Sequence, residues 1–145
     1  MEKILELASG KRHKGEYYYS VKNKFDPSNE FIQSDIIEEY GHQIVDATTM
    51  KFKDEFYIVL CMNLLEHVYD FQLVVDNVYE ALKNNGMAVI LVPVFYPLHD
   101  EPHDYWRFTE HSLRKILQRF SIKELKYSGL RQYPFAYCIE AIKRD

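Results

Sequence analysis

Residues 56–93 read FYIVLCMNLLEHVYDFQLVVDNVYEALKNNGMAVILVP, and this stretch decides the fold. Residues 56–61 form a continuous apolar run, the pattern of a strand covered on both faces. Leu64, Leu65, Val68, Phe71, Val75, Val78, Tyr79 and Leu82 then recur at three- and four-residue spacing, which predicts a helix. Asn84-Asn85-Gly86 stops it, since Asn and Gly suit a left-handed cap. Residues 87–92 are a second buried strand, closed by Pro93. Strand, helix, strand is the repeating unit of a parallel sheet.

Working outward, three short apolar pieces precede this unit: Ile4-Leu5-Glu6-Leu7, Phe31-Ile32-Gln33-Ser34 and Gln43-Ile44-Val45. Each reads as a strand. They end respectively at Ala8-Ser9-Gly10, Asp35 and Asp46-Ala47. Asp26-Pro27-Ser28-Asn29 is turn chemistry. Residues 16–21 are rich in tyrosine and fit either a helical turn or an extended piece. Downstream, residues 94–108 have no period and read as a long loop. Thr109 is placed to cap a helix over residues 110–120, with Leu113, Ile116, Leu117 and Phe120 on one face. Residues 121–127 and 135–142 read as two closing strands. The expectation is one α/β domain over residues 1–145: a mostly parallel sheet with an antiparallel C-terminal strand pair and shortened first helices.

Composition sets bounds on function. The chain has 145 residues, 47% of them apolar, with 12 Tyr and 9 Phe and a net charge of −4. That charge, with both signs mixed along the chain, does not favour nucleic acid or an anionic membrane as partner. The longest apolar run, residues 87–95, is far below the length of a membrane span. No apolar leader follows the start Met1-Glu2-Lys3-Ile4. Cys61 and Cys138 lie inside apolar runs and read as free buried thiols, suited to a reducing compartment. A soluble, cytoplasmic protein is expected. The basic run Lys11-Arg12-His13-Lys14 fits a solvated loop, a site for an anionic acceptor, or a nucleic-acid contact. It is no Walker-type phosphate loop, because no Gly-Lys-Ser/Thr stands at the required spacing.

In open α/β sheets, ligands bind beyond the carboxyl ends of the strands. The residues there resemble those of the class I S-adenosylmethionine-dependent methyltransferases. ILELASG at residues 4–10 looks like their first motif, FIQSD at 31–35 their second strand with its terminal acid, and VDA at 45–47 their third motif. FYIVLCMNLLEHV at 56–68 and ALKNNGMAVILVP at 81–93 are similar to the fourth and fifth strand regions. HDEPHDYWRFT at 99–109 resembles a loop of one small subgroup, often associated with glycan pathways. The resemblance implies a Rossmann-like fold and S-adenosyl-L-methionine as cofactor. It implies cofactor contacts at Glu6, Ala8, Ser9, Gly10, Asp35, Asp46, Ala47, Cys61 and Met62. A small residue and glycine after the first strand let backbone approach the ligand. Asp35 would accept the ribose hydroxyls, or else cap the turn at residues 36–39. Asp46 would meet the adenine amine, or else close a strand-end turn. Cys61 and Met62 would touch the adenine or sulfonium face, or else fill the core.

Two departures from the family pattern carry weight. Gly10 is followed by Lys11-Arg12-His13-Lys14 before Gly15, where further glycines are usual. The N-terminal helices that often cover the acceptor site are also missing, so the pocket would be weak, open, or completed by a protein partner or second subunit. Methyl transfer from a sulfonium is an in-line displacement whose leaving sulfur needs no proton, so alignment carries much of the rate. A hydroxyl acceptor also benefits from a general base, and histidine is the natural one. His103, His99 and Asp104 are the catalytic candidates, with Asp104 as orienter of His103. His67, Tyr105, Trp106 and Arg107 are candidates for the acceptor side. Asp104, Tyr105, Trp106 and Arg107 would alternatively lock the loop by ion pair and stacking. His99, His103 and an acid have ligand chemistry for Zn, Fe or Ni, but their spacing is not diagnostic and no metal is expected. The leading expectation is O-methylation of a small-molecule or glycan acceptor. The other is a non-catalytic, methyltransferase-like binding subunit.

Overall fold

The computed structural model describes residues 1–13, 16, 17 and 20–145. Strands are β1 (Lys3–Leu7), β2 (Arg12–His13), β3 (Glu16–Tyr17), β4 (Glu30–Asp35), β5 (Gln43–Ile44), β6 (Phe56–Met62) and β7 (Leu82–Pro93), then β8 (Phe120–Leu130) and β9 (Tyr133–Lys143). The helices among the described residues are α1 (Phe71–Ala81) and α2 (Glu110–Ile116). Seven strands form one sheet in the order β5-β4-β1-β6-β7-β9-β8, and β2 pairs with β3 apart from it. The strands from β5 to β7 run parallel, while β9 is antiparallel to both β7 and β8. This is the mostly parallel sheet with an antiparallel end that the sequence predicts. Of the basic run, Lys14 lies outside the described residues, as do Tyr18 and Tyr19 of the tyrosine-rich piece.

The two faces of the sheet differ. Leu5, Leu7, Val59, Cys61, Ala88, Ile90, Ile139 and Ala141 are buried, packed with Val74, Val75 and Val78 of α1 and Leu113 of α2. On the opposite face Ile58, Met87, Val89, Leu91 and Ile142 are only half-buried. Ile4 and Leu60 of that face are nonetheless buried, so the both-face coverage expected from the apolar runs holds over β1 and the middle of β6 and lapses toward β7 and β9. The cause lies in the connections: no α-helix stands between β1 and β6 among the described residues.

The helix read from residue 64 onward is shorter than its period suggests. Leu65–His67 is a single 3₁₀ turn, and α1 starts only at Phe71. Leu64, Leu65 and Val68 point inward, but as part of a loop leaving β6. The expected Asn84-Asn85-Gly86 stop does not cap α1, which ends at Ala81 with Leu82 already extended; Asn85 takes its left-handed φ of 65° within β7. Gly86 has no such φ. A Cβ there would stand 2.8 Å from the Lys83 carbonyl oxygen and 3.0 Å from that of Tyr57, so glycine is required for space. The predicted cap of α2 forms: Thr109 accepts from the Ser112 N–H at 3.1 Å, and the Ser112 hydroxyl accepts from the Thr109 N–H at 3.0 Å. The helix ends at Ile116, short of residue 120.

Candidate functional site

A cleft of about 460 Å³ opens at the carboxyl ends of β1, β4, β5 and β6. Each strand ends in a residue that turns the chain. Ala8 takes a left-handed φ of 54° and Asn63 one of 55°, at the exits of β1 and β6. A pocket of this size, with apolar walls and a few polar groups, is the usual form of a small-molecule site. Leu7, Val45, Leu64 and Val68 supply apolar wall; Asp35, Asp46, His67, Asp100 and His103 supply polar groups. Ile36 and Ile37, 63% and 38% exposed, stand at the same wall.

Of the nine predicted cofactor contacts, Ala8, Asp35, Asp46 and Ala47 line the cleft. Asp35 is 7% exposed, and its Oδ2 accepts the Gly10 N–H at 2.9 Å while Oδ1 accepts the Ile37 N–H at 3.1 Å. It thus ties the glycine turn to the turn after β4. Each oxygen accepts one such bond and retains capacity for another. Asp46 Oδ1 accepts from the Thr48 N–H at 2.9 Å and hydroxyl at 2.6 Å. The cleft wall at residues 46–48 is held by that turn.

The other five stand behind the wall. Glu6 is 2% exposed; its Oε1 accepts from Ser9 and Ser20 hydroxyls at 2.6 Å each, and its Oε2 from the Val21 N–H at 2.8 Å. It braces the segment that leaves β1. Ser9 also accepts from the Ser34 N–H at 3.1 Å, joining the ends of β1 and β4. Gly10 offers its carbonyl to His42 Nε2 at 2.7 Å. Cys61 is 1% exposed, and burial pushes its thiol up to about 12. Met62 is half-buried and off the cleft lining.

The loop after β7 folds over the far rim. His103 and Asp100 line the cleft. His103 Nδ1 lies 3.0 Å from the Tyr105 hydroxyl. The expected pairing of His103 with Asp104 is not made. Asp104 instead receives Arg107 and the His99 N–H, because the chain turns between residues 99 and 107 so that these donors converge on its carboxylate. That pairing holds the Asp104 carboxyl well below the usual range, the Arg107 bond being the largest cause. Arg107 also donates to the Tyr96 and Pro97 carbonyls at 3.3 Å. Trp106 donates to the Tyr69 carbonyl at 3.1 Å and packs edge-on against Phe71. Tyr105, Trp106, Arg107 and His99 are off the cleft lining and brace the loop.

Sequence reasoning missed Glu66. It is fully buried, its carbonyl accepts the Tyr105 and Trp106 N–H groups, and no described hydrogen-bond donor reaches either carboxylate oxygen. Burial pushes its carboxyl up to about 8. Its neighbour His67 donates from Nδ1 to the His103 carbonyl at 2.6 Å, a link no spacing rule reveals. Tyr40 and Asp100 were likewise not predicted as site residues, and Lys11, which also lines the cleft, entered only as part of the basic run. For Asp100 the signal was its place inside the long loop; Tyr40, at the end of the 3₁₀ turn Glu38–Tyr40, carried none.

The sheet order and the cleft beyond its parallel strands define an α/β domain of the S-adenosylmethionine-dependent methyltransferase type. The sequence model of the methyltransferase domain matches residues 15–90, more than half of the chain, and the chain belongs to that family. No curated protein sequence matches it. Among solved structures it is similar to the 1,6-didemethyltoxoflavin-N1-methyltransferase of Burkholderia thailandensis, solved with S-adenosylhomocysteine. The two are 16% identical, with a TM-score of 0.72 over 99% of this chain and 72% of that one. It is also similar to a Haloferax volcanii protein solved with the Trm112 methyltransferase activator, at 11% identity and TM-score 0.77 over 99% and 82% of the chains. The [4+2]-cyclase SpnF is a third, at 11% identity and TM-score 0.71 over 99% and 74%. At such identities these likenesses establish the fold, not the reaction. S-adenosylmethionine is the cofactor of this domain type, and the cleft suits it. Its volume is adequate, two acids stand at the strand ends, and exposed aliphatics flank them. Among the described residues no helix is long and apolar enough to cross a membrane.

Proposed function

We propose that this chain transfers a methyl group from S-adenosylmethionine to a hydroxyl oxygen of a small-molecule or glycan acceptor. The observation that carries the reading is the division of one cleft. Asp35 and Asp46 stand at the strand-end wall, and His67, Asp100 and His103 stand at the loop rim. When bound, the cofactor supplies an activated methyl group. Asp35 would hold the ribose hydroxyls, Asp46 the adenine amine, and the Ala8 turn would let backbone approach the ligand. His103, exposed at the rim, would take the acceptor proton, with Tyr105 as its partner. Glu6, Ser9 and Gly10 would act at one remove by fixing the turn, and Cys61 and Met62 by shaping the floor. Asp104, Arg107, Trp106 and His99 would hold the rim in place for the acceptor. The half-covered sheet face and the open rim leave room for a partner protein or second subunit.

The test is transfer of labelled methyl from S-adenosylmethionine to a panel of sugars, nucleotide-sugars and phenols. Labelled product that is acid-stable and base-stable, as an ether is, supports the reading. Cofactor binding without transfer to any acceptor, alone or in cell extract, favours the second reading, a non-catalytic binding subunit. The looser glycine motif after β1 is the feature that points to it.

A further inference from the structure

At the loop rim, ring nitrogens of His67 and His99 and a carboxylate oxygen of Asp100 all lie within 4.8 Å of one another. Both histidines are anchored through Nδ1. His67 Nδ1 meets the His103 carbonyl at 2.6 Å, and His99 Nδ1 meets the Pro97 carbonyl at 3.1 Å. A carbonyl only accepts, so each Nδ1 carries a proton, and it is then Nε2 whose lone pair a metal ion would take. Such anchoring of the far ring nitrogen is how metal-binding histidines are oriented. The Nε2 of His67 faces Glu66 Oε1 at 3.7 Å and Asp100 Oδ2 at 3.8 Å. These distances are too long for hydrogen bonds, so His67 Nε2 has a carboxylate oxygen of each residue near it and no bond to either. Glu66 is the independent sign. Its carboxylate is fully buried, and no described donor reaches it. In its ionised form such a buried group is costly, and a cation close by would offset that cost.

We propose that His67, His99 and Asp100 bind a divalent transition-metal ion, with Glu66 as the buried carboxylate behind it. Two imidazoles and one carboxylate suit Zn²⁺, Co²⁺, Ni²⁺ or Fe²⁺ better than Mg²⁺ or Ca²⁺. Metal bonds of about 2.0–2.2 Å set ligand atoms roughly 3–3.5 Å apart. The ligand atoms, within 4.8 Å of one another, must draw closer to reach that spacing, and Asp100, whose side chain is 77% exposed, has room to move. Three protein ligands leave coordination positions open. His67 and Asp100 line the cleft, so those positions can take an oxygen of the acceptor. That last step rests on the proposed function; the binding of the ion does not.

The test titrates the chelator-stripped protein with Zn²⁺ alone by calorimetry, and with Co²⁺ alone by visible absorption. The expected result is saturable binding of one ion and a Co²⁺ ligand-field band of imidazole coordination. Asp100→Asn and His67→Gln should each weaken Zn²⁺ binding by about a hundredfold, since even groups outside the coordination shell are worth about 10–100-fold. Asp100→Asn changes an exposed side chain, so it reports even if His67→Gln does not fold. His111→Gln, outside the cluster, should bind as the parent does. No saturable binding below millimolar Zn²⁺ overturns the proposal, as does binding that Asp100→Asn leaves unchanged. Titration of the same samples with S-adenosylmethionine keeps this failure separate from failure of the proposed function.

Discussion

Asp104 and Arg107 meet in a two-pronged ion pair, Nη1 donating to Oδ1 at 2.6 Å and Nη2 to Oδ2 at 3.1 Å. The Asp104 side chain is 1% exposed and the Arg107 side chain 25%. Removing the arginine leaves a buried carboxylate with the His99 N–H, and it frees the Tyr96 and Pro97 carbonyls. Arg107→Ala should cost about 2–3 kcal/mol in urea unfolding, the penalty for a charged group losing its partner. Arg107→Lys should recover little, because one ammonium cannot make both bonds. A double-mutant cycle with Asp104→Asn should show strong coupling.

Gly86 is a second point of sensitivity. Its missing Cβ leaves room for the Lys83, Tyr57 and Phe56 carbonyl oxygens, all backbone and all within 3.1 Å of where the Cβ would be. Gly86→Ala should therefore destabilise by about 1–3 kcal/mol, the cost of overpacking, despite an ordinary φ. Thermal unfolding of the variant checks this.

Cys61 should be chemically silent in the folded protein. Its thiol is raised to about 12 by burial, so almost no thiolate exists at pH 9. Iodoacetamide at that pH should label Cys61 only after denaturation, as read by mass spectrometry. Because the folded pKa lies above the ordinary thiol value of 9.0, stability should decline as pH rises from about 9 toward 12.

His103 should matter for turnover and not for cofactor affinity. It stands at the rim, opposite the acids at the strand ends. His103→Ala should lower methyl transfer by about 10²–10⁴, the range for a lost general base. Only the side chain is removed, so the carbonyl that anchors His67 stays. An equal loss of cofactor affinity would place His103 in cofactor binding instead.

The sheet was legible because burial writes itself into strands as apolar runs: β1, β4 and β6 follow those runs closely, whereas β7 starts at Leu82, five residues before its run, in polar residues read as the helix end. The ends of α1 and α2 were less so. Leu64, Leu65 and Val68 keep a helical period because a 3₁₀ turn also buries them, and period alone does not separate the two. At the site, Ala8, Asp35, Asp46 and Ala47 were readable from their position after strands. The partners in residues 94–109 were not. That Asp104 takes Arg107 rather than His103, and that His67 reaches the His103 carbonyl, depends on how an irregular loop closes on itself. Glu66 was hidden for a related reason: in a sequence it looks like an ordinary surface acid before a helix.

The central claim is that the cleft at the strand ends takes S-adenosylmethionine, and calorimetry tests it without knowledge of the acceptor. S-adenosylmethionine and S-adenosylhomocysteine should each bind at one site per chain. Asp35→Ala should weaken both by about ten- to a hundredfold, since a hydrogen bond to a charged group is worth about 1.5–3 kcal/mol. Circular dichroism of the variant should remain that of the parent. No binding of either ligand at millimolar concentration, or affinity unchanged in Asp35→Ala, would contradict the account.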